Sequence, residues 1–458
     1  MKNWIRPLVL SCMLHSMGMT GSSAQQLTSE KAADFLTTKL TDTSMSRSLP
    51  EIRVRWSGKD VPGSSRTEGK SSYTYYAFDI GNGFAIVGGT DDNPELVAYS
   101  LQYKLPEAEH LPQPFMDWLA ALSGYKQGDN SVSSRSTGNG EKPETVVLLE
   151  TPSWGQGTPF NSQVPLDDGV RSLAGCVPVA FSIIMKYYNW PEHGIGYISP
   201  YTTMTKKIQV EKRDLEIPYD YESMPFTYKY MDDESQWESV ARLIADVGAA
   251  CTTDYTYASS GAFVSEYLLM RRFRYNPEMK WYKRNEESDS TWTALIKSEL
   301  DKGQPIIYTA NSEANGHAFI LDGYDSENRV HVNWGWAGDC NGFFSLDHLG
   351  VWGRLYDRDH EMLLDVTPNR HVNTVGPEEF LQESKFVFDK KEREVIVAHP
   401  KHIYTTVIQN GEKMQYATEN WRNSTVIQID SLANEPFQIV MTDGMAEKTI
   451  HVELKKHK

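Results

Sequence analysis

Acyl transfer through sulfur requires a thiol, a base for its proton, a group that orients the base, and donors for a developing oxyanion. Candidates for all four fall within one stretch of this sequence. Cys176 opens the run Gly175 to Tyr188, in which apolar positions 177, 180, 181, 184, 187 and 188 repeat with helical spacing. Pro178 is tolerated only in a first turn, so the helix is expected to begin at about Cys176. A sulfur at that end of a helix meets the positive pole of its dipole, which favours the thiolate. His317 follows Gly316, where backbone can approach closely, and starts the strand-like run His317 to Asp322. A turn composition, Gly323 to Asn328, separates it from the returning run Val330 to Trp336. A hairpin centred on Asp325–Ser326 sets His317 opposite Asn333 or Trp334, and an amide oxygen there would fix the imidazole tautomer. Gln156 can donate its side-chain N–H to an oxyanion beside the backbone N–H of Cys176. His331, two residues before Asn333, is the competing imidazole. Every one of these residues also has a plain reading: an inert core cysteine, a turn glutamine, core tryptophans at Trp334 and Trp336.

Elements must bring these residues together, and 458 residues are too many for one core. Residues 1–24 read as a secretory signal peptide: Lys2 and Arg6, an apolar run, then Ser22-Ser23-Ala24. A lipid anchor at Cys12 is the lesser alternative. Residues 25–125 form a small α+β unit, with a helix at 28–40 and strands at 73–80, 84–88 and 95–99. A further helix near 114–123 completes it. Residues 126–143 are rich in Gly, Ser and Asn and make an exposed linker suited to proteolytic nicking. Residues 144–368 hold the candidate site, with helices at 176–188, 235–248, 263–273 and 291–300. Residues 369–458 alternate like a small β-sandwich, an accessory or sorting module. No other run reaches the ~20 apolar residues of a membrane helix. A formal charge of −16 excludes a basic nucleic-acid footprint. Cys12, Cys176, Cys251 and Cys340 are too few for a disulfide scaffold, and no metal-binding spacing occurs, so neither metal nor cofactor is expected.

The motifs resemble the streptopain family of bacterial papain-like cysteine peptidases. Gly175-Cys176-Val177 leading to Ile184 through Pro191 is similar to its nucleophile helix, and Gly316-His317-Ala318-Phe319 with Asp322-Gly323-Tyr324 to its histidine motif. His331 to Trp336, with Gly342 to Asp347, is similar to its aromatic motif, and Gln156-Gly157 to its oxyanion segment. Upstream, Ala77 to Ser100 is similar to the family's inhibitory pro-domain. The resemblance implies an α+β, papain-like catalytic domain behind an N-terminal α+β pro-domain, with the C-terminal β domain appended. It implies a secreted endopeptidase made as a zymogen and monomeric when mature. Its partners would be polypeptide substrates and its own pro-domain. Cys176 would be the nucleophile, His317 the general base and then acid, and Gln156 part of the oxyanion hole. Asn333 and Trp334 share the third role, while Gly316, Ser260, Gly261, Ala262 and Trp336 would line the substrate cleft. Pro178 and Ala262 depart from the family's usual residues without removing a catalytic group. Two alternatives stand beside this reading: a catalytically dead binding or adhesion protein, and a thiol acyl transferase of transglutaminase or cell-wall amidase type.

Overall fold

A computed structural model describes residues 26–41, 52–57, 74–123, 144–228, 234–262, 266–311, 316–349 and 358–370. It also describes 385–389, 394–398, 404–414, 417–421, 424–428, 435–442 and 447–453. The expected signal peptide, Cys12 and the linker 126–143 lie outside these residues.

The leader begins with α1 (Ser29–Thr41). Its first turn is capped by Thr28, whose hydroxyl accepts from Lys31 N at 3.3 Å. Four strands follow: β1 (Ile52–Ser57), β2 (Thr74–Ile80), β3 (Gly83–Thr90) and β4 (Asn93–Ser100). They pair in succession as an antiparallel meander. Helix α2 (Gln113–Ser123) closes the unit. Strand β1 was not foreseen, because Arg53 and Arg55 interrupt its apolar residues and a bulge between Val54 and Trp56 breaks the alternation.

The following unit contributes β5 (Thr145–Leu148), α3 (Cys176–Tyr188), α4 (Glu234–Ala250) and α5 (Glu266–Phe273). It continues with β6 (Lys280–Lys283), α6 (Asp289–Asp301), β7 (Ile306–Asn311) and β8 (Gly316–Asp325). Strands β9 (Val330–Asn333), β10 (Gly342–Phe344) and β11 (Arg358–Leu364) complete it. Both units share one eleven-stranded sheet in the order β1-β2-β3-β4-β10-β9-β8-β7-β11-β6, with β5 paired to β8. The seam is short: Phe343 faces Tyr99 and Phe344 faces Ala98. Gly342 is required beside it, since a Cβ there would lie 2.5 Å from the Tyr99 carbonyl oxygen.

Strand β8 is apolar on both faces, as a central covered strand must be. Ala318 and Ile320 join Val177, Ala180, Ile183 and Ile244 of α3 and α4 in one core. Phe319 and Leu321 face a second core, which combines Trp334, Phe344 and Tyr308 with Phe84, Ile86, Phe115 and Trp118 of the leader. Leader and catalytic unit are thus fused by sheet and by core. Side chains reinforce the join: Lys39 Nζ bonds Glu327 at 2.9 Å, and Arg329 Nε donates to the Leu96 carbonyl at 3.0 Å. Arg329 also holds Oδ2 of buried Asp325 at 3.0 Å, an oxygen that accepts from the Tyr99 hydroxyl at 3.2 Å as well. Burial and the Asp325 charge push the Tyr99 phenol far up, so it stays a neutral donor.

The C-terminal residues form two four-stranded antiparallel sheets. One contains strands 385–389, 394–398, 424–428 and 417–421, the other 412–413, 404–409, 437–442 and 447–452. Val395, Val407, Ile427, Ile439 and Met441 are fully buried, as expected of a small sandwich.

Candidate active site

Helix α3 starts at Cys176, where the sequence places it. Gly175 precedes it with φ 93°, a left-handed region that a side chain would strain, so glycine lets the chain turn into the helix. Cys176 is partly exposed as a residue, while its sulfur is turned inward toward the backbone N–H groups of Ala318, Val177 and Cys176 itself. Burial pushes the thiol pKa up more strongly than those N–H groups draw it down.

The Ala318 contact brings Cys176 to the residue after His317. His317 is buried in an aromatic stack: Trp336 at 4.9 Å between centroids, Phe319 at 5.9 Å and Trp334 at 6.1 Å. Its Nε2 donates to the Trp334 carbonyl at 2.9 Å, which assigns the ring proton to Nε2 and leaves Nδ1 as the basic nitrogen. Burial draws its pKa down to about 4, opposed by the Trp334 carbonyl. Among the described residues no hydrogen bond joins imidazole and sulfur, although the sulfur meets the N–H of Ala318, the residue after His317. Phe115 of α2 stands edge-on to Trp334 at 6.2 Å and to Trp336 at 6.4 Å, so the leader braces the stack that holds His317.

The hairpin register differs from the sequence expectation. Ile320, not His317, faces Asn333, and the turn is centred near Glu327, where Asp325 N donates to Arg329 O at 2.9 Å. Asp325 Oδ1 accepts from Glu327 N at 2.9 Å and Arg329 N at 2.8 Å, which fixes this longer turn. A bulge between Leu321 and Gly323 shifts the ladder again. His317 therefore meets Trp334 through a backbone oxygen and Trp336 through its ring. The Asn333 amide does not reach the imidazole. It donates to Thr151 Oγ1 at 2.9 Å and Pro152 O at 2.8 Å, and accepts from Gly335 N at 3.2 Å. The competing imidazole, His331, bonds Asp322 at 2.5 Å.

Gln156 is drawn beside the start of α3, since its carbonyl accepts from Ala174 N at 2.9 Å, two residues before Cys176. Its half-buried side chain makes no hydrogen bond among the described residues. The Ser260 carbonyl lies beside the helix entry, 3.6 Å from where a Gly175 Cβ would be. Gly261 exchanges two backbone hydrogen bonds with Asp254, at 2.8 and 3.2 Å, and remains open outward. Ala262 packs half-buried on the α3 core, and exposed Gly316 opens β8 at the same end as His317. Backbone groups at Ala318 and Trp334, and the leader's Phe115, carry no sequence signal of their own. Among the described residues no group of His, Cys, Asp and Glu is arranged to hold a metal ion.

Residues 154–344 match the Peptidase C10 family, and residues 24–125 match the Spi protease inhibitor family. Streptopain of Streptococcus pyogenes is 29% identical over 305 residues, 61% of this chain and 75% of that protein. The thiol protease/hemagglutinin PrtT of Porphyromonas gingivalis is 26% identical over 321 residues, covering 64% of this chain and 37% of that one. A prointerpain A fragment of Prevotella intermedia has a similar fold, with a TM-score of 0.53 and 24% identity. That likeness covers 69% of this chain and 99% of the fragment. Together these likenesses support a streptopain-like cysteine peptidase of C10 type. With its inhibitor-type leader it is a cysteine peptidase made as a precursor. No helix among the described residues is long and apolar enough to cross a membrane.

Proposed function

We propose that this chain is an extracellular endopeptidase in which Cys176 is the nucleophile and His317 the base. The observation that carries the reading is the pairing of a helix-start sulfur, surrounded by three N–H groups, with an imidazole whose proton is committed to the Trp334 carbonyl. Nδ1 is then free to take the thiol proton. The thiolate attacks a peptide carbonyl, and the oxyanion is met by the Cys176 N–H and the Gln156 side chain. The imidazolium returns its proton to the departing amine, and water activated by His317 hydrolyses the acyl-enzyme. Trp334 serves as third member through its main-chain oxygen, with Asn333 behind it. Gly316, Ser260, Gly261, Ala262 and Trp336 border the bound peptide. A transglutaminase-type reading would want a carboxylate beside the imidazole, where a peptide carbonyl stands.

The same reading takes 25–125 as inhibitory leader, 126–143 as maturation linker, 144–368 as catalytic domain and 369–458 as accessory domain. It takes 1–24 as signal peptide and the mature enzyme as a monomer acting on polypeptides. The test is Cys176→Ala in the precursor. It should abolish hydrolysis of an unfolded protein substrate and labelling by a thiol-directed epoxide. Hydrolysis persisting in that variant refutes the assignment.

A further inference from the structure

A line of hydrogen bonds runs inward from His317 to Asp322, and every donor between those two residues points the same way. His317 Nε2–H donates to the Trp334 carbonyl at 2.9 Å. The N–H of that same peptide unit, on Gly335, donates to Asn333 Oδ1 at 3.2 Å. Asn333 Nδ2 donates to Thr151 Oγ1 at 2.9 Å, and its second hydrogen goes to Pro152 O at 2.8 Å. Thr151 has one proton and gives it to Asp322 Oδ2 at 2.5 Å. The other oxygen of Asp322 takes Nδ1 of His331 at 2.5 Å. Asn333 and Asp322 are 1% and 2% exposed, so solvent does not compete for these bonds.

Valence leaves this network one arrangement. Because the Thr151 proton is held by a carboxylate, Thr151 must accept from Asn333. Turning the Asn333 amide over would set its oxygen against the Pro152 carbonyl, acceptor against acceptor. Its oxygen is thereby aimed at Gly335 N, which pins the 334–335 peptide and so the carbonyl that His317 uses. Hydrogen bonds aligned in series polarise one another. Here the series ends on a carboxylate, and all of its dipoles favour positive charge at the imidazole.

We infer that Thr151 and Asp322 are positioning residues for His317, an anion acting through a hydroxyl, an amide and a peptide unit. The inference rests on the roles proposed for Cys176 and His317. Thr151 follows β5, the first strand after the linker, and Leu149 N donates to the Asp322 carbonyl at 2.7 Å. The segment just behind the maturation region is therefore part of the relay, and trimming past Leu149 would dismantle it. Among the described residues two titratable groups face the relay from neighbouring elements. They are His331 on β9, bonded to Asp322, and Tyr187 on α3, whose phenol is pushed up by burial and then by the Asp322 charge.

The test measures kcat, KM and their pH dependence for mature enzyme made from precursors carrying Thr151→Val, Thr151→Ser or Asp322→Asn. In Asp322→Asn the new amide can present an N–H to Thr151, reversing the relay. Thr151→Val and Asp322→Asn should lower kcat about tenfold, a part of the ~10²–10⁴ that acid–base catalysis contributes, with KM nearly constant. The alkaline limb of the profile, set by the imidazolium, should fall by about half a pH unit, less than the one to three units of a directly paired carboxylate. Thr151→Ser should restore both. A folded Thr151→Val enzyme with unchanged kcat and alkaline limb overturns the inference. Should that variant not fold, Thr151→Ala is made alone and with Asn333→Ala. The pair should cost no more than Asn333→Ala alone, and additive losses overturn the relay. Failure of the underlying reading looks different: Cys176→Ala would remain active. Failure of the relay alone leaves Cys176 labelled and the alkaline limb of Asp322→Asn unmoved.

Discussion

Phe115 is the leader residue whose removal should report most directly on how the precursor is held together. It is fully buried and stands edge-on to three rings of the catalytic unit, Trp334 at 6.2 Å, Trp336 at 6.4 Å and Phe344 at 6.3 Å. Its fourth ring partner, Trp118 at 5.2 Å, lies on its own helix. Truncating a core Phe to Ala costs ~3–5 kcal/mol, and each edge-to-face pair adds ~0.5–1.5 kcal/mol of that. With three of four ring contacts crossing the seam, about 2–4 kcal/mol of the loss should fall on docking. At 1.4 kcal/mol per decade this is roughly 30- to 1000-fold in the dissociation constant. The assay uses full-length precursor carrying Cys176→Ala and a cleavage site for an added protease within 126–143. After cutting, association of the two pieces is followed by sedimentation over a dilution series. The pieces with Phe115 should stay together at micromolar concentration, because they share a sheet and a core. The Phe115→Ala pieces should separate at concentrations at least about 30-fold higher, and Phe115→Leu should recover most of the difference. Equal midpoints for Phe115 and Ala, or outright release of the leader by the cut alone, would refute the account of the seam.

Two further outcomes follow from buried charge. The His317 pKa is drawn down to about 4 from its ordinary 6.5, so folding favours the neutral ring. Stability from that preference is complete above pH 6.5 and is lost as pH falls toward 4, by about 3 kcal/mol in all. Urea titrations of the Cys176→Ala precursor between pH 7 and pH 4 should show this loss, and His317→Phe should flatten it; parallel pH slopes in the two proteins would contradict it. Arg329→Ala strips buried Asp325 of its guanidinium and removes the bond to the Leu96 carbonyl. Removing one member of a buried pair costs ~3–5 kcal/mol, so the precursor should melt several degrees lower; an unchanged melting temperature would show the pair to be inert.

The nucleophile helix could be read from the sequence because its determinants are local: Pro178 fixes the first turn and the apolar repeat fixes the buried face. Strands β2 to β4 of the leader were legible for the same reason, each being an antiparallel neighbour of the next, whereas β1 was not. The existence of the β8–β9 hairpin was legible, but its register was not. Turn length depended on one carboxylate, Asp325, accepting two backbone N–H groups, and a bulge then displaced the ladder. As a result the partner of His317 is a main-chain oxygen, which no residue type announces. The seam between β4 and β10 was invisible because its strands are far apart in sequence and β10 has only three residues. Thr151 looked like an ordinary residue after a strand. Its importance comes only from what the fold sets against its hydroxyl.

The seam also bears on how this chain is born. Within the leader, strands β1 to β4 pair in sequence order, so it can assemble from local pairings as it emerges before the rest of the sheet during synthesis. Strand β10 comes more than two hundred positions after its partner β4 and arrives to find a finished edge waiting. The leader thus acts as a template that spares the later sheet a slow search among distant pairings. An enzyme stripped of that template keeps a shape it would regain only slowly, so its working lifetime is set by how rarely it opens rather than by how readily it closes again.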